Sequence, residues 1–309
     1  RDVAPSRGLG DVYKRQVHGS ILAIAGILVR IIGMLYRIPV VNIIGSEGNG
    51  IYGAAFNIYN IMLVLSSYGL PMAVSKLVSA RFTKKRYKSA AKVLRCSLMV
   101  AVCTGGIAAL LVFFGASFIE NVIYGGGLPG LAVPLRILAP TIFLVAILGV
   151  IRGFFQGQST MIPTAVSQIL EQIVNAIVSI AAGYGMMKAF ASSPDVAAYG
   201  AAGSTLGTAM GALTAVLFMG FLYAVYTPTF NRLKRKDRHT ENQSTGQICK
   251  IIIYTMIPII LGQTFYQISA LIDDVMFSNI MVGRDITKSI SMDPVSYTHL
   301  RAHETELHL

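Results

Sequence analysis

The sequence predicts an all-α polytopic membrane protein, and three observations carry that expectation. Seven stretches, 20–44, 51–80, 97–119, 135–155, 161–188, 197–226 and 251–277, meet or approach the length and apolarity of a spanning helix, which needs about 20 residues. Charged residues make up 13% of the chain and hydrophobic ones 54%, whereas soluble domains carry roughly 25% charge. Lysine and arginine, finally, crowd into alternate connections.

Taken in order, the first stretch holds Arg30 and Arg37, seven apart and therefore on one helix face two turns apart. Pro39 follows and is expected to loosen the helix near Arg37. A connection at 45–50 without Lys or Arg leads to the second stretch, with Asn57, Asn60 and Ser67 at i, i+3 and i+10, and Pro71. The next connection is strongly basic: Arg81, Lys84, Lys85, Arg86, Lys88, Lys92 and Arg95. After the third stretch, residues 120–134 are again free of Lys and Arg. The fourth contains Pro140, and Arg152 is assigned to the short connection at its end. The fifth carries Gln168, Glu171, Gln172 and Asn175; positions 168, 171 and 175 form one stripe, and Glu171 is its single acid. The sixth has Gly203, Gly207 and Gly211 at small-xxx-small spacing, which permits close helix approach, and Gly220 beyond them. A basic segment follows with Arg232, Lys234, Arg235, Lys236 and Arg238. The seventh carries Pro258 and Gln263, Gln267 and Asp274 at i, i+4 and i+11, with Asp273 adjacent.

The net charge of +12 would suggest nucleic acid in a soluble protein, but its placement argues for topology. Short cytoplasmic loops carry the excess of Lys and Arg, so the amino end and the basic connections are expected inside, against anionic headgroups. Nucleic-acid binding is excluded on that ground. Cys96, Cys103 and Cys249 form no CxxC pair, which points away from a disulfide or metal role, and Cys96 and Cys103, seven apart at the third stretch, read as small packed hydrophobes. No metal or cofactor motif is found. No HExxH, Walker-type GxxxxGK[ST] or GxSxG motif occurs, which points away from an enzyme and from direct ATP coupling in this segment.

Ionisable groups within hydrocarbon cost at least about 2.5–3.5 kcal/mol each and usually face a cavity. Two guanidiniums on one face suit an anion clamp, because arginine matches phosphate oxygens bidentately. Snorkelling or pairing with an internal acid are the alternatives. Glu171 is open to three readings: a partner for arginine, a proton-coupling carboxylate, or a satisfied structural group. Asp273 and Asp274 fit either a coupling role or an interfacial position. Polar stripes on four helices together suggest a shared hydrophilic cavity.

Both ends read differently. Residues 6–16 (SRGLGDVYKRQ) and 295–305 (VSYTHLRAHET) back-translate to one DNA sequence in opposite orientations, which resembles a transposon-type sequencing adapter. Residues 1–16 and 295–309, with His299, His303 and His308, are therefore set aside from fold reasoning. The remainder divides into a transmembrane lobe at 17–230, a basic linker at 231–250 and the start of a second lobe at 251–294.

The segments RIIGMLYRIPVVNIIG (30–45), GNGIYG (48–53) and YGLPMAVSK (68–76) resemble the stage V sporulation protein B group. So do LGVIRGFFQGQSTMIP (148–163) and SQILEQIVN (167–175). These are polysaccharide-biosynthesis transporters of the oligosaccharidyl-lipid flippase superfamily, related to lipid II flippases and to MATE exporters. The resemblance implies about fourteen helices in two lobes, working by alternating access. This chain would supply the first lobe of six helices and the first helix of the second. It also implies that cavity arginines on the first helix bind a substrate pyrophosphate, with Arg30 and Arg37 the nearest counterparts. The expected function is flipping of an undecaprenyl-pyrophosphate-linked saccharide across the bacterial plasma membrane, coupled to protons, sodium ions or the membrane potential. Asn57, Asn60, Gln168, Glu171, Gln172 and Asn175 would complete the substrate site, with Gln267, Asp273 and Asp274 as coupling or second-lobe groups. The alternatives are a cation-coupled multidrug exporter of the same superfamily and a non-transporting partner of wall or sporulation enzymes.

Overall fold

The computed structural model describes residues 4–238 and 243–283. They form α1 (Ala4–Ser66), α2 (Leu70–Thr83), α3 (Tyr87–Phe118), α4 (Ala132–Gly157), α5 (Ile162–Ala189), α6 (Val196–Lys236) and α7 (Thr245–Gly283), with a π-helical turn at Ile119–Ile123. Among the described residues six helices are long and apolar enough to cross a membrane. The first of these, Ser20–Thr83, holds both of the first two predicted stretches. Large apolar side chains point outward all along the bundle, with Phe114 76% and Phe221 66% exposed. A face of that kind is stable against lipid, not water.

Three features differ from the sequence expectation. The predicted connection at 45–50 is helical: α1 kinks at Gly45 alone, whose φ of 72° and ψ of −177° no L side chain adopts readily. Pro39 sits inside the helix and does not break it; the non-helical residue comes six positions later. The second predicted stretch is interrupted instead, between Ser66 and Leu70, with Pro71 in the first turn of α2. There the Thr104 hydroxyl donates to the Ser66 carbonyl at 2.8 Å, so α3 takes up a carbonyl the broken helix leaves open.

The helices also run past their apolar cores. Only 84–86 separate α2 from α3, and α6 continues to Lys236, so most of the basic residues extend helices rather than form loops. Residues up to Lys236 and from Thr245 onward are helical within the predicted linker 231–250. Asp237, buried in it, accepts the Lys88 N–H at 2.9 Å and caps α3. At the other end Glu120 accepts the N–H groups of Gly130 and Ala132 at 3.0 and 2.8 Å, which caps α4 in the same way.

Two glycine ladders set the helix spacing. Gly203, Gly207 and Gly211 of α6 lie on Ala182, Ser179, Asn175 and the Glu171 carbonyl of α5, so close that a Cβ would collide with that backbone. The small-xxx-small expectation holds. A second ladder, Gly149, Gly153 and Gly157 of α4, packs on Pro71, Val74, Ser75 and Val78 of α2. Near the basic end Phe82, Phe154 and Phe230 form a three-ring cluster, with centroids 5.3–6.3 Å apart, that ties α2, α4 and α6 together.

Of the cysteines, Cys96 is buried as expected, whereas Cys103, expected to pack, is exposed on the outward face of α3; Cys249 is half-buried, and all three are free.

Candidate functional site

Two contacts fix how α1 and α5 meet. A Cβ on Gly33 would lie 3.1 Å from Gln172 Nε2, and Asn175 Nδ2 donates to the Tyr36 hydroxyl at 3.3 Å. Both pairs are 139 residues apart, so the helices run parallel in one register. That register places Glu171 level with Ile32, between Arg30 and Arg37. At 1.5 Å per residue the two arginines lie about 3 Å to one side of that level and about 7.5 Å to the other.

Glu171 itself is paired. Arg152 Nη2 meets its Oε2 at 2.7 Å, with side-chain exposures of 14% and 27%. The same guanidinium donates from Nε to Ser167 Oγ at 2.9 Å, and Ser167 in turn donates to the Thr164 carbonyl at 2.7 Å. Nearer the end of the hairpin, Gln156 Nε2 reaches Thr164 Oγ1 at 3.5 Å. Arg152 therefore belongs to the span, five residues inside the end of α4, and not to a connection. Of the three readings for Glu171, pairing with an arginine is the one the geometry shows, and the partner is neither of the α1 arginines.

Tyrosines extend the polar surface. Tyr59, buried on the segment of α1 beyond the kink, lies within electrostatic range of the Glu171 carboxylate. Tyr52, two turns earlier, shares a hydrogen bond with Tyr36 and lies near Arg37. A ladder thus runs from Arg152 and Glu171 through Asn175 and Tyr36 to Tyr52 and Arg37.

The candidate residues divide accordingly. Gln172 and Asn175 meet Gly33 and Tyr36 across the α1–α5 contact, Glu171 turns to Arg152 on α4, and Arg37 lies near Tyr52. Asn175 is buried, and its carbonyl accepts from Ser179 at 2.9 Å and Thr208 at 3.5 Å, so its amide is committed to helix packing. Gln168, Asn57 and Asn60 are half-buried, and Arg30 is exposed. Neither Arg30 nor Arg37 has an ion-pair partner among the described residues. Asp273 is exposed; the side chains of Gln267 and Asp274, and the tail histidines, lie outside the described residues. No cluster of three metal-ligating side chains occurs among the described residues. The sequence reading missed Arg152, Ser167, Tyr36, Tyr52 and Tyr59. For Arg152 the signal was present, as a guanidinium inside an apolar run.

Comparison with known proteins supplies the context. The chain is 34% identical over 176 residues to the lipid II flippase MurJ of Bacillus subtilis (strain 168), covering 55% of this chain and 32% of that protein. It is 30% identical over 201 residues to the stage V sporulation protein B of the same organism, covering 64% and 37%. The chain therefore spans roughly a third to two fifths of the length of the curated relatives it matches. Among solved structures, a MOP superfamily transporter from Pyrococcus furiosus described by the reverse polarity of its binding pocket aligns with a TM-score of 0.65 at 17% identity, over 90% of this chain and 61% of that one. An inward-facing multidrug resistance transporter of the MATE family aligns with a TM-score of 0.57 at 15% identity, over 84% and 59%. These likenesses establish the MATE-like helical bundle. The sequence profile described as polysaccharide biosynthesis protein matches residues 18–285, and the chain belongs to that family of membrane proteins.

Proposed function

We propose that this chain forms the first lobe, and the opening helix of the second, of a flippase for an undecaprenyl-pyrophosphate-linked saccharide such as lipid II or a related wall precursor. The observation that carries the proposal is the pair of α1 arginines. Arg30 and Arg37 lie on either side of the level of Glu171 on α5 and have no ion-pair partner among the described residues. Unpaired guanidiniums at membrane depth are costly, and a diphosphate offers the bidentate partner they lack. The names of the lipid II flippase and stage V sporulation relatives support the same cargo class.

In this reading Arg30 and Arg37 hold the diphosphate, while Asn57, Asn60, Gln168 and Gln172 hydrate the first sugar and the prenyl tail stays in lipid. The basic end faces the cytoplasm, so loading occurs from the inner leaflet of the plasma membrane, and rocking of the two lobes exposes the site outward. Asp273, Asp274 and Gln267 lie on the helix that would open the second lobe, where a proton, sodium ion or the membrane potential could couple. A multidrug exporter would present acids to a cationic cargo. Here the acid on α5 is already neutralised by Arg152. The test is rescue of a flippase-deficient strain by a full-length version carrying Arg37→Ala. Loss of rescue at normal expression supports the clamp, and full rescue removes it.

A further inference from the structure

We propose that Glu171 is a built-in competitor for the substrate diphosphate, and that Arg152 is a third, gated arginine of the anion site. The inference rests on the flippase reading above and adds to it a group that sets how tightly cargo is held and how readily it leaves.

Four observations meet here. Arg152 and Glu171 are joined at 2.7 Å, and a guanidinium fork accepts a carboxylate and a phosphate through the same donors. The pair is not sealed: 14% of the arginine side chain and 27% of the glutamate remain accessible, so an anion can approach from the open side. The guanidinium is oriented independently of Glu171, because Nε is held by Ser167, itself anchored to the Thr164 carbonyl. Its terminal nitrogens thus stay aimed when the carboxylate swings away. Finally, the α1–α5 register puts Glu171 at a depth between Arg30 and Arg37, the level at which a bound diphosphate would sit.

A purely structural ion pair would require none of this alignment. A transporter site, however, must hold its cargo weakly enough to release it. An internal carboxylate that occupies one arginine in the empty state scales apparent affinity down to the fraction of time that arginine is free. When the diphosphate takes Arg152, Glu171 is displaced toward Tyr59, whose buried hydroxyl lies within its electrostatic range. When cargo leaves, Glu171 reclaims Arg152 and the site resets.

The test is calorimetric titration of the full chain in lipid nanodiscs, with farnesyl diphosphate in one arm and inorganic pyrophosphate in the other. Glu171→Gln should tighten binding about tenfold, the scale of one charge-assisted bond. Arg152→Gln should weaken it comparably, and the double variant should match Arg152→Gln. Thermal melts confirm that each form is folded. The same pattern with pyrophosphate alone assigns the effect to the diphosphate; the pattern with farnesyl diphosphate only assigns it to the lipid-linked form. Unchanged or weaker binding by a folded Glu171→Gln overturns the proposal. Separately, Arg30→Gln and Arg37→Gln report on the clamp. If they bind normally while Glu171→Gln still tightens, the α1 reading fails and the competitor stands.

Discussion

Arg152 on α4 and Glu171 on α5 close a 2.7 Å ion pair across two helices that touch little elsewhere. The α4–α5 hairpin is otherwise pinned at its near end by Ser167, Thr164 and Gln156, while each helix is packed more tightly against another neighbour: α4 on α2 and α5 on α6. The pair therefore ties α4 to α5 where few other contacts do, and its strength is measurable.

Arg152→Ala should lower unfolding stability by about 2 kcal/mol, since it leaves a half-buried carboxylate without its charge-assisted partner. A double-mutant cycle with Glu171→Ala should return a coupling of about 1–3 kcal/mol. Circular dichroism during denaturation in detergent reads both. A cycle that sums to zero would show that the contact contributes nothing to the hairpin.

The α5–α6 ladder predicts a contrast between two glycines on one helix. A Cβ at Gly207 collides with Ser179 and the Asn175 carbonyl, whereas one at Gly220 meets nothing within 4 Å. Gly207→Val should destabilise by roughly 1–3 kcal/mol through forced separation of the helices. Gly220→Ala should be neutral or stabilise by up to about 1 kcal/mol, through the better helix propensity of alanine. Melting temperatures of the two variants, measured side by side, check the contrast.

Gly45 carries the kink of α1 at a positive φ of 72°. Gly45→Val should cost about 1–3 kcal/mol in backbone strain, while the same change at Gly26, which has open space and no such φ, should cost no more than helix propensity. The folded fraction recovered from membranes reports the difference.

Orientation follows from the basic end. In a background with Cys96, Cys103 and Cys249 replaced by serine, Lys85→Cys should react with an impermeant thiol reagent only after cells are opened. Glu47→Cys, at the opposite end by the kink, should react in intact cells. The reverse pattern would place the amino end outside.

Much of the bundle is legible in the sequence because hydropathy reports burial in lipid directly. Where it failed, the reason is local. A single glycine turns α1 at Gly45 without ending the helical hydrogen bonding around it, so the polar dip at 45–50 reads as a loop when it is a kink. The break after Ser66 is only three residues long, too short to lower the mean of a span-length window. The glycines at 149, 153 and 157 have the same spacing as those at 203, 207 and 211, and were equally readable. The site is harder. Arg30, Arg37 and Glu171 stand out as charges in apolar helices, but that Glu171 pairs with Arg152 depends on which helices become neighbours. The tyrosines at 36, 52 and 59 look like ordinary aromatic packing until Asn175 and Arg37 are placed beside them.

The most direct measurement places a photoreactive side chain at position 168, on the polar stripe of α5, in a full-length version, and asks whether it crosslinks radiolabelled undecaprenyl-pyrophosphate-linked saccharide in membranes. The same probe at position 114, which is 76% exposed on the outer face, is the lipid-facing control. The account predicts saccharide-lipid adducts at 168 that disappear when Arg30 and Arg37 are both changed to alanine, and none that depend on those arginines at 114. Equal labelling at the two positions, or labelling at 168 that survives loss of both arginines, would contradict it.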